Sequence, residues 1–66
     1  MADPRVIELA SKAVEADTAG RLADAVALYT QAAAILESIG GPEEMKKAKE
    51  YRDRAVALQS KMGVRA

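Results

Sequence analysis

The sequence predicts an all-α fold, an antiparallel up-down-up bundle of three helices. Glycine and proline interrupt the 66-residue chain at two places, Gly20 and the run Gly40, Gly41 and Pro42, and leave three segments of similar length. Alanine, leucine and charged residues, which favour helix, dominate these segments, and aromatic residues are almost absent. No segment keeps the period-two alternation of a strand. Because short connections set sequential helices side by side, residues 1–66 are treated as one domain.

The first helix is predicted over residues 4–19. Asp3 is a favourable N-cap, and Pro4 suits the first helical position, where its missing N–H would have no intrahelical partner. Gly20 ends the helix because glycine adopts the left-handed conformation without steric cost. Side chains placed at intervals of about 100° give a buried stripe of Val6, Leu9, Ala13 and Ala16.

The second and third helices are predicted over residues 22–39 and 42–62. Pro42 suits the start of the third helix, whose first turn carries Glu43 and Glu44 and whose last turn carries Lys61, as the helix dipole favours. The buried stripe of the second helix is Leu22, Ala25, Tyr29, Ala32 and Leu36. That of the third is Ala48, Tyr51, Ala55, Leu58 and Met62. Many of these residues are small, so the helices can approach closely.

The composition argues against several classes of function. Ten Lys and Arg balance ten Asp and Glu, so no net positive field attracts nucleic acid. The chain has no cysteine and no histidine, and it therefore lacks the commonest general base and the strongest thiol nucleophile. We expect no enzyme, no metal and no cofactor. Without an uninterrupted apolar stretch of about 18 residues or a signal sequence, we expect a cytoplasmic domain with no direct membrane insertion.

The charged residues are expected to form a solvated helix surface rather than a phosphate-binding patch. Three pairs have the i,i+4 spacing that favours ion pairing along a helix: Glu8–Lys12, Glu43–Lys47 and Glu50–Arg54. The basic run from Lys46 to Arg54 is therefore expected to neutralise itself.

Two segments carry a resemblance to a known family. Residues 19–32 read A-G-x-x-x-x-A-V-x-L-Y-x-x-A, and residues 51–58 read Y-x-D-R-A-x-x-L. The small-large-small spacing of Ala25, Tyr29 and Ala32 also occurs in tetratricopeptide repeats. However, a proline usually closes that unit, nothing here breaks the helix before Gly40, and a solenoid needs about three units. Taken together, the two segments resemble the MIT (microtubule-interacting and trafficking) domain.

The resemblance implies a function as well as a three-helix fold. MIT domains are non-catalytic modules that bind C-terminal tail peptides, the MIT-interacting motifs, of ESCRT-III proteins in grooves between their helices. They recruit an attached domain to membrane-remodelling and endosomal trafficking assemblies. We therefore expect a monomeric interaction module within a longer protein, with ESCRT-III-type tails as partners and recruitment to endosomal membranes through them.

The preferred peptide site is the groove between the first and third helices. The first helix has an apolar flank beside its buried stripe, and the third helix adds one apolar and three basic residues. An apolar trough beside basic side chains suits an extended peptide that alternates apolar or proline anchors with acidic residues. The residues of this site are Ile7, Ala10, Val14, Lys47, Arg54, Leu58 and Lys61.

The groove between the second and third helices is ranked second. The resemblance implies an apolar residue where this chain has Arg52, and an acidic residue where it has Val56. A helical peptide that needs an apolar floor and a carboxylate would lack both. The residues of this second site are Val26, Thr30, Ala33, Met45, Arg52, Val56 and Gln59.

Two other classes of function stay open at this stage. The chain could be a structural or self-associating fragment, similar to a tetratricopeptide repeat, that binds no peptide. In that case Leu28, Ile35 and Ile39, which exceed the needs of one buried stripe, would form a self-association surface rather than pack against the first helix. An interfacial membrane-binding bundle is disfavoured because the charge is balanced and aromatic residues are scarce.

Overall fold

The computed structural model describes residues 3–63, and these residues form three helices with no strand. The helices are α1 (Pro4–Thr18), α2 (Leu22–Ile39) and α3 (Pro42–Met62). The bounds predicted for α2 and α3 are confirmed. The first helix ends one residue earlier than predicted, because Ala19 is its C-cap residue.

The ends of the helices follow local chemistry. The Asp3 carboxylate accepts a hydrogen bond from the backbone N–H of Arg5 at 2.8 Å, which caps the start of α1. Gly40 closes α2 with φ of 80° and donates its N–H to the Leu36 carbonyl. This left-handed conformation is easy for glycine and costly for other residues. Pro42 then starts α3 without leaving a backbone N–H unpaired.

Helix α2 is the central element. It packs against both α1 and α3, whereas no Cα atom of α1 lies within 8 Å of a Cα atom of α3. The described residues extend over 34 × 23 × 12 Å, so the arrangement is flat. The two outer helices therefore form the walls of a groove over α2, which we call the α1/α3 groove.

The core is shallow and rich in alanine. One cluster of buried residues consists of Ala13, Ala16, Ala25, Tyr29, Ala55 and Leu58. The second consists of Val6, Ala32, Ala33, Leu36 and Ala48. Of the predicted stripes, only Leu9, Leu22, Tyr51 and Met62 are half-buried rather than buried. The small side chains bring α2 close to both neighbours, as the sequence predicts.

Helix α2 carries more apolar residues than one buried stripe needs, and packing buries some of these extra residues in part. Leu28 and Ile35 are half-buried against the two core clusters, while Ile39 is 49% exposed. By length and mean hydropathy alone, α2 could cross a membrane, although charged and polar residues interrupt its apolar sequence. Only 28% of this helix is buried, so packing against α1 and α3 covers only part of its surface.

Candidate functional site

A pocket of about 220 Å³ opens at one end of the α1/α3 groove. It lies where the start of α1, the end of α2 and the start of α3 meet. Its lining residues are Asp3, Val6, Ile7, Leu36, Ile39, Glu43, Glu44, Lys47 and Tyr51. All three helices therefore contribute to one concave surface.

The interior of the pocket is apolar. Val6 and Leu36 are buried and belong to the same core cluster, and Tyr51 packs against that cluster. Ile7 and Ile39 are 53% and 49% exposed, and they bring large aliphatic side chains to the mouth of the pocket. Exposed apolar residues are common singly, but two of them around a cavity mark a surface that a partner can cover.

The rim of the pocket is charged. The Asp3 carboxylate also accepts hydrogen bonds from the Arg5 guanidinium at 2.8 and 3.2 Å, and these hydrogen bonds hold the pKa of Asp3 below its ordinary value. Glu43, Glu44 and Lys47 complete the rim, and no ion pair within 4.0 Å includes any of them in residues 3–63. The predicted Glu43–Lys47 pair is therefore absent.

The other end of the α1/α3 groove is bridged by side chains. Arg54 of α3 donates to both carboxylate oxygens of Asp17 of α1, at 2.8 and 3.0 Å. The Tyr29 hydroxyl of α2 donates to the same carboxylate at 3.3 Å, and burial of this phenol, followed by the charge of Asp17, raises the pKa of Tyr29. Arg54 thus pairs with Asp17 instead of Glu50, contrary to the sequence prediction, while the predicted Glu8–Lys12 pair is confirmed at 3.2 Å.

The predicted residues of the α1/α3 site are spread over both ends of the groove. Ile7 and Lys47 line the pocket. Ala10 is half-buried and Val14 is 54% exposed, and both share the flank of α1 that carries Ile7. Arg54 is held by Asp17, Leu58 is fully buried in the core, and Lys61 is exposed in the last turn of α3.

Most residues of the pocket lie outside the two sites that the sequence predicts. Val6, Leu36 and Tyr51 were predicted as core, and the acidic residues Glu43 and Glu44 as helix-end charges. The available signal was Ile39, an apolar residue in the last turn of α2 that lies outside the predicted buried stripe. Its position beside a glycine turn places it next to the first turn of the following helix.

The α2/α3 groove is crossed by an ion pair. The Arg52 guanidinium of α3 donates two hydrogen bonds of 2.6 Å to the Glu37 carboxylate of α2, and these lower the pKa of Glu37. Around this bridge, Ala33 is buried and Val26 is half-buried. The other predicted residues of this groove are exposed: Thr30, Met45, Val56 and Gln59.

A second depression, between α1 and α2, has a different character. It is lined mostly by polar and charged side chains of both signs, among them Lys12, Glu15, Arg21 and Asp24. It offers no apolar floor comparable to that of the pocket between α1 and α3. In residues 3–63, no group of three acidic side chains is placed to hold a metal ion.

Comparisons of the chain with models of known protein families, with curated proteins and with solved structures returned no match.

Proposed function

We propose that the chain is a non-catalytic interaction module, an antiparallel up-down-up bundle of the MIT type, that binds protein tails in the α1/α3 groove. The proposed partners are C-terminal tails of ESCRT-III-type proteins. Binding them would recruit an attached domain from the cytoplasm to membrane-remodelling assemblies on endosomes. The isolated domain acts as a monomer in this proposal.

The observation that carries the proposal is the pocket with its two exposed isoleucines. Ile7 and Ile39 are about half exposed and border a cavity whose floor is already apolar. Covering them would remove aliphatic surface from water, which is the main favourable term in most protein association. Both side chains are thus suited to contact an apolar anchor of a partner.

The size of the pocket favours a peptide side chain over a small-molecule ligand. Its volume of about 220 Å³ falls below the roughly 300–1,000 Å³ of typical ligand pockets. Beyond the pocket, Ala10 and Val14 lie on the same flank of α1 as Ile7, so an extended segment has a surface to follow up to the Arg54–Asp17 bridge. A tail that places one apolar side chain in the pocket fits both features.

The α2/α3 groove is a weaker candidate because an ion pair crosses it, whereas the ion pair across the α1/α3 groove, Arg54–Asp17, lies away from the pocket. A partner helix laid in that groove would have to displace the Arg52–Glu37 pair or cover it. Covering a charged pair removes it from water and lowers the gain from binding. The pocket of the α1/α3 groove has no such bridge across it in residues 3–63.

Fluorescence anisotropy with a panel of labelled ESCRT-III tail peptides tests the proposal. The small interface between a short peptide and one groove of this domain predicts dissociation constants in the micromolar range or weaker. Ile7→Asp should abolish binding because the partner would desolvate a carboxylate without pairing it. Val56→Asp is the matched control, since Val56 is a similarly exposed residue on the other groove, and it should bind as the wild type does.

Two results would contradict the proposal. If no tail in the panel binds, the proposed partner class is wrong. If Val56→Asp abolishes binding and Ile7→Asp does not, the peptide occupies the α2/α3 groove. For the comparison of the two variants, circular dichroism must first show that each has wild-type helicity.

The second candidate is a self-associating helical piece that binds no peptide. The outward face of α2 favours it, because that face is exposed and carries Ala23, Ala27 and Ala34, which permit close approach of another helix. Sedimentation equilibrium distinguishes this self-associating piece from the monomeric peptide-binding module. A monomer at all concentrations excludes self-association, whereas a dimer that excludes tail peptides supports the second candidate.

A further inference from the structure

We infer that the partner segment carries a lysine or arginine next to the apolar anchor that enters the pocket. This inference rests on the proposed function and adds the charge of the partner to it. If Lys47, Arg54 and Lys61 formed one basic wall, as the sequence predicts, they would favour the opposite partner, an acidic peptide.

In the structure, these three basic residues do not come together beside the pocket. Arg54 is neutralised by two hydrogen bonds to Asp17, at the end of the groove that the ion pair bridges. Lys61 does not line the pocket. Of the three basic residues, only Lys47 is left beside the apolar floor.

The charge at the pocket mouth is acidic instead. Glu43 and Glu44 lie on the rim with Lys47, and neither carboxylate has an ion-pair partner within 4.0 Å in residues 3–63. Asp3 is the third carboxylate of the rim, and Arg5 balances it. The start of α3 therefore brings two carboxylates without an ion-pair partner and one ammonium group to the rim.

The negative charge of the two glutamates is explained in part by their place in α3, which requires no binding partner. Both glutamates lie in the first turn, where the helix dipole favours negative charge, and the Glu44 carboxylate folds against Gly41. Glu43 is exposed and stays accessible to a partner. A basic side chain beside the anchor would therefore find an accessible carboxylate at Glu43, and the two glutamates outnumber Lys47 on this part of the rim.

Selection of random decapeptides on phage, with the immobilised 66-residue chain as bait, tests this inference. We expect the selected peptides to share an apolar anchor and to carry more Lys and Arg than Asp and Glu within a few residues of it. Glu43→Lys should abolish this basic excess. Glu50→Lys makes the same charge change on an exposed residue of α3 outside the pocket and should leave the excess unchanged.

Binding measurements with one selected peptide then give the contribution of its basic residue to the affinity. Replacing its basic residue by glutamine should weaken binding about 1.4- to fivefold, the range expected for one exposed ion pair. The difference should disappear near 1 M salt, where the Debye length is about 3 Å. Anisotropy measures both effects.

The possible outcomes separate this inference from the proposed function. A shared anchor with neutral or acidic neighbours overturns the charge preference and leaves peptide binding intact. If no shared anchor emerges, or if the selected peptides leave the amide resonances of Ile7 and Ile39 unshifted, both are overturned. Shifts of these two resonances with protein concentration alone would show that a second copy of the chain covers the pocket, and this would also overturn the inference.

Discussion

Replacing Leu58 with alanine tests whether this residue supports the fold or the binding surface. The sequence alone placed Leu58 both in the buried stripe of α3 and in the α1/α3 site. In the structure it is the largest fully buried side chain, with no exposed surface. It packs in the cluster that joins α1, α2 and α3. We therefore expect the substitution to act on stability.

The expected loss is large because the buried neighbours offer little to fill the space. Four of the five other buried residues in the cluster are alanines, whose side chains are too short to fill a cavity, and the larger side chains packed against the cluster are only partly buried. Leu-to-Ala changes in cores cost about 2.7–5.0 kcal/mol, and we expect about 3–4 kcal/mol here. At roughly 0.05–0.15 kcal/mol per residue, the whole domain is stable by only about 3–10 kcal/mol. The variant should lose a third or more of that stability.

Urea denaturation followed by circular dichroism measures the loss, and thermal unfolding should show Tm lowered by about 12–30 °C. Leu58→Met keeps the volume and should cost less than about 1.5 kcal/mol, so it gives a folded comparison if the alanine variant is unfolded. Val56→Ala, at an exposed neighbour, should stay within about 0.5 kcal/mol. A Leu58→Ala variant as stable as Val56→Ala would refute the assignment to the core.

Three further predictions concern the α2/α3 groove and the turn after α2. Arg52→Leu removes the bridge across this groove and should strengthen binding of helical tails in titration calorimetry; an unchanged affinity for every helical tail would count against this account. Because Arg52 lowers the folded pKa of Glu37 below its ordinary 4.5, stability should fall as pH falls through that lowered pKa. The loss of stability as pH falls below 4.5 should be smaller in Glu37→Gln, and equal losses in urea denaturation of the two proteins would contradict this expectation. Gly40→Ala should lower the free energy of unfolding by about 1–2 kcal/mol because φ is 80° at this residue. Gly41→Ala should leave stability nearly unchanged, because φ is −74° there and the flexible Glu44 side chain can move away. Equal unfolding midpoints for the two variants would contradict this difference.

The helices could be predicted from sequence because their ends are determined locally. Asp3, Pro4 and the glycine turns act through their own backbone conformation and their nearest neighbours, so no knowledge of packing is needed. The buried stripes follow from the helical period, and of the eleven residues buried within residues 3–63, all except Ala33 belong to the predicted set. Ala33 was assigned to the α2/α3 groove because sequence does not give the rotation of α2 toward α3.

The ion pairs between helices could not be predicted in the same way. Asp17 and Arg54 are 37 residues apart in the chain, and Glu37 and Arg52 are 15 apart. Sequence spacing favoured the local partner Glu50 for Arg54, but an i,i+4 pair on an exposed helix is a weak preference that a contact between helices can override. The two bridges determine which parts of the grooves are open, and so the pocket became visible only in three dimensions.

The most direct test of the account is a residue-resolved NMR titration of the ¹⁵N-labelled domain with a tail peptide that binds in the anisotropy assay. We predict that the largest shifts of amide resonances cluster at Ile7, Ile39 and Tyr51, with smaller shifts along α1 toward Val14. Shifts centred on Val26 and Val56, or shifts spread evenly over the exposed face of α2, would contradict the claim that the α1/α3 pocket is the binding site.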